Sequence, residues 1–282
     1  MPSVLAHNLL SKQVYDNAVP ESTDKNAFLL GGLGPDFFYA SKNPSLAKLG
    51  SLFHHSDACK TLTAMLEIAR GNNTTYSFAL GFLTHYALDS IAHPFVLAVI
   101  DEMLPLCRRA TEDTLHDKIE TNLDVIILRN KTGQIPSEIP LKELIPQDTE
   151  LLDAVSSLLA QTANTLFEAD IKPEEVKSAY DEYRRFLNKY QDNTGIKKPF
   201  YKRLEILRNI PPIHSSRIRS IMEDDDFDYS NSSKTAWTYN GAESRADFFE
   251  MFDDAAALSD KLIKAADDNL PLKPIMGDIG FI

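Results

Sequence analysis

The length, composition and charge of this chain exclude several classes of protein. Its 282 residues are 43% hydrophobic and 25% charged, which is typical of a globular protein with a substantial core and excludes a disordered chain or a coiled coil. The formal net charge of -12, from 29 basic and 41 acidic residues, argues against general nucleic-acid binding, because proteins that contact phosphates usually carry an excess of basic residues.

The distribution of apolar residues predicts an all-α fold. Apolar positions recur mainly with helical spacing, and alternating stretches long enough to form a sheet are scarce. Three glycines and a proline within residues 31–35 predict a tight turn, and the acidic run 223–228 predicts a solvated loop. The predicted helices, in chain order, cover residues 4–16, 56–69, 75–93, 112–129, 149–168, 173–191, 199–208 and 244–268.

Two segments bear on the location of the protein in the cell. The apolar run 78–100 is long enough to span a membrane, but His85, Asp89 and His93 interrupt it, so we predict a buried helix and no transmembrane segment. The first ten residues lack the basic start and the long apolar stretch of a secretory signal. We therefore expect a cytoplasmic protein.

The histidines are unevenly distributed along the chain. Six of the seven precede residue 125, and only His214 follows it, so we expect the chemistry in the first half. We divide the sequence into a helical core that carries the metal site, residues 1–130, and a helical extension, residues 131–282. The extension is expected to pack on the same domain, with a lid as its alternative role.

One predicted helix carries three potential metal ligands in a line. His85, Asp89 and His93 are spaced four residues apart, and each step of four advances only about 40° around a helix, so the three side chains share one stripe. The neighbouring positions are apolar, which indicates that the stripe is buried. Buried imidazole and carboxylate groups are costly unless they have partners, and a divalent metal ion would satisfy all three.

A second helix repeats this spacing with His116 and Glu120. An imidazole nitrogen and a carboxylate oxygen one turn apart can bind the same ion, and both are common zinc ligands. Alone, such a pair is typical of a surface ion pair, but beside the first stripe it indicates a metal site. Asp124, one turn further on, suits a supporting role in which it accepts a hydrogen bond from a ligand histidine or from nearby backbone.

Three further residues of ligand type stand at the ends of predicted elements. His7 lies near the start of the first helix, Asp36 follows the predicted tight turn, and His54 is expected to open the second helix. Each alone is typical of a helix cap or a surface histidine. We favour His54 over His55 as the site residue because the two side chains point about 100° apart on a helix, so both are not expected to face one site.

A family resemblance rests on these residues in their chain order. They are His7, Gly34-Pro35-Asp36, His54, His85-x-x-x-Asp89-x-x-x-His93-Pro94 and His116-x-x-x-Glu120, with a weaker continuation at residues 236–237 and 247–252. The set resembles the zinc-dependent phospholipase C family, which is all-helical and related in fold to the zinc-dependent single-strand nucleases. The resemblance implies an all-α multi-helix bundle of that type.

The resemblance also implies two or three bound zinc ions. It assigns one ion to Asp36, His54, His85 and Asp89, a second to His93, His116 and Glu120, and a third to His7 with Asp89 as a shared ligand. Mixed nitrogen and oxygen ligands also suit other divalent metals.

The activity implied is that of a phospholipase C-like hydrolase. Zinc-bound hydroxide would attack a phosphodiester while the metal ions neutralise charge on the phosphoryl oxygens, and Asp36 would orient or deprotonate the attacking water. The expected partner is a small phosphoester or a phospholipid head group. The aromatic run at residues 37–39 would either line a pocket for a choline-like head group or pack in the core.

Two other functions stay open at the level of the sequence. One is a nuclease or nucleotidase on the same metal cluster, which would need stacking aromatic residues and a basic track. Residues 1–125 contain nine Lys and Arg against fourteen Asp and Glu, so that track is missing. The other is a non-catalytic metal-binding scaffold that keeps the helical fold.

Overall fold

The chain is mainly helical, as the apolar spacing predicts. A computed structural model describes residues 3–281, and within that range it contains eleven α-helices and a single two-stranded sheet. The all-α prediction is therefore confirmed. The helices are α1 (Val4–Ala18), α2 (Lys25–Gly31), α3 (Pro44–His55), α4 (Ala58–Ala69), α5 (Asn73–Met103), α6 (Glu112–Thr132), α7 (Thr149–Phe167), α8 (Pro173–Tyr190), α9 (Lys197–Arg208), α10 (Phe248–Asp267) and α11 (Lys273–Met276).

Side-chain caps explain where several helices begin. Asp24, Asp57 and Asp148 each precede a helix and accept hydrogen bonds from backbone N–H groups of its first turn. At the start of α6, Thr111 and Thr114 exchange such bonds reciprocally. These local signals are the reason why most predicted boundaries lie within a few residues of the observed ones.

The sequence prediction missed two short helices before α4. The first, α2, spans only seven residues, and α3 begins at the Asn43-Pro44 pair, which caps its first turn. The prediction that His54 opens a helix is therefore wrong, because His54 lies in the last turn of α3. Leu46 and Leu49, both buried, carry the helical spacing that marks this segment.

Helix α5 continues through Pro94, whereas the prediction ended this helix at residue 93. A proline inside a helix has no N–H to donate to the carbonyl four residues earlier, and this usually ends or kinks the helix. The helix nevertheless extends to Met103, because side chains beyond the proline, such as Phe95 and Val96, remain buried and keep the segment packed.

The apolar run 78–100 lies within α5 and is largely buried. This agrees with the buried helix predicted from the polar residues that interrupt the run. Within residues 3–281, no helix combines the length and the apolar character that a membrane crossing requires.

A short hairpin precedes the last long helix. Strand β1 (Trp237–Tyr239) pairs antiparallel with β2 (Ala242–Ser244), and Asn240 and Gly241 between them both have positive φ, as a two-residue type I′ turn requires. The prediction of a helix from residue 244 is therefore wrong, and α10 begins at Phe248.

The chain divides into two compact units, each assembled from separate segments. Unit 1 comprises Met1–Ala6, Ile91–Leu141 and Leu187–Asp253, and unit 2 comprises His7–Ser90, Lys142–Phe186 and Asp254–Ile282. Each unit takes segments from both sides of residue 130. The division of function between a metal-site core and a packed extension or lid stays a prediction.

In unit 1, ion pairs join α6 to the irregular segment that follows α9. Arg219 Nε lies 2.6 Å from Asp124 Oδ2, and Arg217 Nε lies 2.7 Å from Asp117 Oδ2. Arg219 and Asp124 are almost completely buried, so each needs the other to offset the loss of water. The segment is thus held on α6 by charge as well as by packing.

In unit 2, two glycines allow α2 and α5 to approach closely. A Cβ atom at Gly81 of α5 would lie 1.9 Å from the carbonyl oxygen of Phe28 in α2, and one at Gly31 would lie 2.0 Å from the carbonyl oxygen of Phe78. Only residues without a Cβ atom fit at these two positions. This contact holds the end of α2, and the turn after it, against α5.

We expect Gly81→Ala to lower the free energy of unfolding by about 3 kcal/mol, the upper end for an overpacked core, because its methyl group would overlap backbone atoms. Gly50→Ala is the matched control on a helix, since its Cβ would meet only the ring of Tyr39, 3.1 Å away. The control should change stability by less than about 1 kcal/mol. Denaturant titration measures both values, and equal stabilities would contradict the close contact between α2 and α5.

Candidate metal centre

Five residues of unit 2 bring imidazole and carboxylate groups into one buried cluster. His7 comes from α1, Asp36 from the 3-10 helix that follows the predicted turn, His54 from α3, and His85 and Asp89 from α5. None of the five is more than 6% exposed. The structure therefore places together all the predicted ligands that belong to this unit.

Asp89 presents its two carboxylate oxygens to different histidines. Its Oδ1 lies 3.2 Å from His7 Nε2, whereas its Oδ2 lies 3.0 Å from His85 Nε2 and 3.6 Å from His54 Nε2. The contact with His85 follows from their spacing of one turn on α5. A carboxylate in this position is able to bind one cation through each oxygen.

Asp36 contacts the same group of histidines. Its Oδ1 lies 3.2 Å from His54 Nε2 and 3.9 Å from His85 Nε2. The backbone before it requires glycine, because Gly34 has a φ of +58° and a Cβ atom there would lie 2.3 Å from the His85 ring. The tight turn is therefore what allows Asp36 to approach α5.

A hydrogen bond on the opposite side of its ring orients His54. Its Nδ1 lies 2.7 Å from the carbonyl oxygen of Gly50, and because a carbonyl oxygen only accepts, Nδ1 carries the proton and donates it. In the neutral ring, Nε2 then points a lone pair towards Asp36 and towards His85 Nε2, 3.4 Å away. Two hydrogen-bond acceptors that face each other repel, so this arrangement is unfavourable unless a cation lies between them. His55 is exposed, whereas His54 is buried beside Asp36 and Asp89.

Burial and neighbouring charges determine the protonation states of this cluster. Burial lowers the pKa of His85, and this effect outweighs the opposing attraction of Asp89. For Asp36, burial alone would raise the pKa, but the neighbouring His54 and His85 side chains hold the pKa well below its ordinary value. Neutral imidazole and ionised carboxylate are the forms that bind a metal ion.

Unit 1 holds a second, smaller cluster. His93 Nε2, on α5, lies 3.3 Å from Glu120 Oε1, and His116 Nδ1, on α6, lies 3.6 Å from Glu120 Oε2. The two imidazole rings are stacked with their centroids 5.5 Å apart. Burial would raise the pKa of Glu120, but the charges of His116 and His93 lower it well below its ordinary value. The His116 side chain is 24% exposed, so this cluster is accessible to solvent on one side.

Both clusters fit zinc in their donor atoms and spacing. Nitrogen and carboxylate oxygen donors suit Zn²⁺, and so many buried polar groups facing one another need a cation to offset their desolvation. Three triads each have ligand atoms within 4.8 Å of one another, namely His7, His85 and Asp89, then Asp36, His54 and His85, and finally His93, His116 and Glu120.

Asp124 holds the start of α1, within unit 1. Its Oδ1 accepts a hydrogen bond from the backbone N–H of Ala6 at 2.8 Å. Ala6 directly precedes His7 in the chain, so this bond agrees with the predicted supporting role of Asp124 near a ligand. The pKa of Asp124 is raised because burial outweighs the attraction of Arg219.

Aromatic rings pack against the histidines of unit 2. The Phe281 ring has its centroid 5.7 Å from that of His54 and 6.1 Å from that of His85, and Phe82 lies 5.9 Å from His85. Phe281 could not be predicted from the sequence, because no local pattern connects residue 281 with α5. These rings limit the access of water to one side of the cluster.

The aromatic run after Asp36 packs mainly in the core. Phe37 and Phe38 are buried, and Phe37 stacks on Tyr180 with a centroid separation of 4.0 Å. Tyr39 is half-buried, and its hydroxyl lies 3.3 Å from His54 Nδ1. Of the two alternatives for this run, core packing therefore holds for the two phenylalanines.

Comparison with known proteins agrees with this arrangement. A family model described as zinc dependent phospholipase C matches residues 5–194. No curated protein and no solved structure matches the chain. The matched segment covers more than half of the sequence and includes all eight predicted ligands, and the chain belongs to the zinc-dependent phospholipase C family.

Proposed function

We propose that this protein is a zinc-dependent phosphoesterase of the phospholipase C type, which hydrolyses the phosphodiester of a small phosphoester or a phospholipid head group. The observation that carries the proposal is the position of Asp89, whose two oxygens lie within 3.6 Å of the imidazoles of His7, His54 and His85. Membership of the zinc-dependent phospholipase C family supports the same reaction.

Asp89 is the group best suited to join two zinc ions in unit 2. An imidazole nitrogen has one lone pair, so His85 Nε2 serves only one ion, whereas a carboxylate offers an oxygen to each of two. We assign one ion to Asp36, His54, His85 and Asp89 Oδ2, and a second to His7 and Asp89 Oδ1. A further ion is assigned to the triad of unit 1, His93, His116 and Glu120.

Zinc bound at these ligands would supply an activated water and would neutralise charge on the phosphoryl oxygens. The residues of the chain would orient the attacking water and the zinc ligands. Asp36, an ionised carboxylate beside His54 and His85, would accept a hydrogen bond from the attacking water and orient it. The Gly50 carbonyl would fix the ring of His54, and Phe281 would limit access of other water.

The acidic character of the chain is compatible with an anionic substrate, because bound cations reverse the local sign of charge. It is less compatible with a nuclease. Such an enzyme would need a basic track along its cleft, and the ligand-bearing first 125 residues are acidic on balance.

We expect the zinc-loaded protein to hydrolyse the chromogenic diester p-nitrophenyl phosphorylcholine, and Asp89→Asn to lower kcat/KM at least about 100-fold. Loss of residues that merely orient zinc ligands already costs 10- to about 100-fold, so loss of a shared ligand should cost more. Asp192→Asn is the matched control, because Asp192 is 5% exposed, Asp89 is 4% exposed, and Asp192 lies outside the clusters. Absence of hydrolysis by the zinc-loaded wild type would indicate a non-catalytic metal-binding scaffold.

Zinc content should respond differently to three substitutions. His7→Ala removes a ligand of one ion and should lose zinc, but no more than one equivalent, and His116→Ala should do the same for unit 1. Asp89→Asn should lose more than one equivalent, because both of its oxygens are used. Mass spectrometry of metal content after dialysis against a mild chelator measures this. Unchanged zinc in His7→Ala would show that His7 is a core histidine and no ligand.

A further inference from the structure

Large exposed apolar side chains are concentrated in one segment of unit 1. Among the described residues, eleven large apolar side chains are exposed, and eight of these lie between residues 196 and 222. The segment begins just after the part of the chain that matches the family model, which ends at residue 194. The eight are Ile196, Phe200, Ile206, Leu207, Ile210, Ile213, Ile221 and Met222.

Helix α9 presents an apolar stripe to solvent. Phe200 and Leu207 are two turns apart and therefore share one face, and they are 61% and 74% exposed. Ile196 precedes Phe200 by one turn and is 68% exposed. Ile221 lies beside the start of this helix, because a Cβ atom at Gly195 would meet Ile221 Cδ1 at 3.0 Å. An exposed stripe of this kind is unusual for a surface that contacts only water.

The buried face of α9 is anchored by its acidic residue. Glu205 is 1% exposed, and its Oε1 accepts a hydrogen bond from the backbone N–H of His214 at 2.6 Å and another from that of Ser215. Glu205 and Leu207 are two residues apart, so their side chains point to nearly opposite sides of the helix. The exposed face of the helix therefore carries no carboxylate.

Two basic residues border the apolar stripe. Arg203 and Arg208 are exposed, and neither forms an ion pair within the part of the chain that the structure describes. Arg203 lies between Phe200 and Leu207 on the same face. Lys198, also on α9, does form an ion pair, because its Nζ lies 3.2 Å from Asp224 Oδ2. In a chain with a net charge of -12, α9 thus forms a local basic and apolar surface.

We propose that this α9 surface, formed by Ile196, Phe200, Leu207 and the two arginines, docks the protein on an anionic phospholipid bilayer. Apolar side chains on one face of a surface helix enter the boundary between head groups and acyl chains, and basic residues beside them contact anionic lipid phosphates. A second copy of the chain fits this surface less well, because a symmetric contact would bring the two pairs of arginines together. The proposal rests on the proposed function, since it makes the substrate surface a lipid bilayer.

The test measures binding to sedimented vesicles, which requires no hydrolysis. Vesicles of phosphatidylcholine mixed with phosphatidylserine should bind the wild-type protein, and vesicles of phosphatidylcholine alone should bind it at least about tenfold more weakly. Leu207→Ser should weaken binding to the anionic vesicles about tenfold, because it removes one large apolar side chain. Leu106→Ser is the matched control, since Leu106 is 76% exposed against 74% for Leu207 and lies outside the surface.

Variants that remove positive charge test the contribution of the basic residues to this surface. The double variant Arg203→Gln and Arg208→Gln should weaken binding to anionic vesicles by about tenfold or more, and added salt should also weaken wild-type binding. The control variant carries Lys48→Gln and Lys261→Gln, which remove two exposed cations from elsewhere. Control variants should bind like the wild type.

Three results would overturn the proposal. They are equal binding of wild type and Leu207→Ser, equal binding to neutral and anionic vesicles, and a wild-type dimer in solution that Leu207→Ser disrupts without any vesicle binding. Hydrolysis of the soluble diester is measured separately and should be unchanged in Leu207→Ser. If the proposed function is wrong, the protein will bind vesicles but will not hydrolyse the soluble diester. If the docking surface is wrong, the protein will hydrolyse the diester but will not bind vesicles through this surface.

Discussion

The burial of charged and polar groups on α5 is the constraint on which the site in unit 2 depends. His85 is completely buried, and Asp89 is 4% exposed, so neither has bulk water to stabilise it. Each therefore needs a partner in the protein or a bound cation. The surrounding elements supply these partners: α1 contributes His7, the turn after α2 contributes Asp36, and α3 contributes His54. The fold of unit 2 can be understood as an arrangement of helices around this stripe.

Local backbone requirements make that arrangement possible. Gly81 and Gly31 let α2 approach α5 at the distance of backbone contact, and Gly34 lets the chain pass the His85 ring before it reaches Asp36. The Gly50 carbonyl then fixes the ring of His54 through Nδ1. None of these groups is itself a predicted ligand, yet each lies beside one and restricts its position. Glycines therefore contribute to the shape of this cluster as well as its imidazole and carboxylate groups.

Much of this site is predictable from sequence, and the reasons are physical. The stripe of His85, Asp89 and His93 is visible because helical periodicity is local, and the pair His116 and Glu120 is visible for the same reason. Features that depend on contacts between distant segments cannot be predicted in this way. The position of His54 at the end of α3, the continuation of α5 through Pro94 and the packing of Phe281 on the histidines depend on burial between segments that are distant in sequence. Tertiary packing also overrides the tendency of proline to end a helix.

The proposed sharing of Asp89 between two zinc ions is tested most directly by anomalous diffraction at the zinc absorption edge from crystals of the zinc-loaded protein. Two peaks are expected at Asp89, one beside the oxygen that faces His7 and one beside the oxygen that faces His85. A further peak is expected within the triad of His93, His116 and Glu120. A single peak at Asp89, or none, would contradict the shared-ligand arrangement.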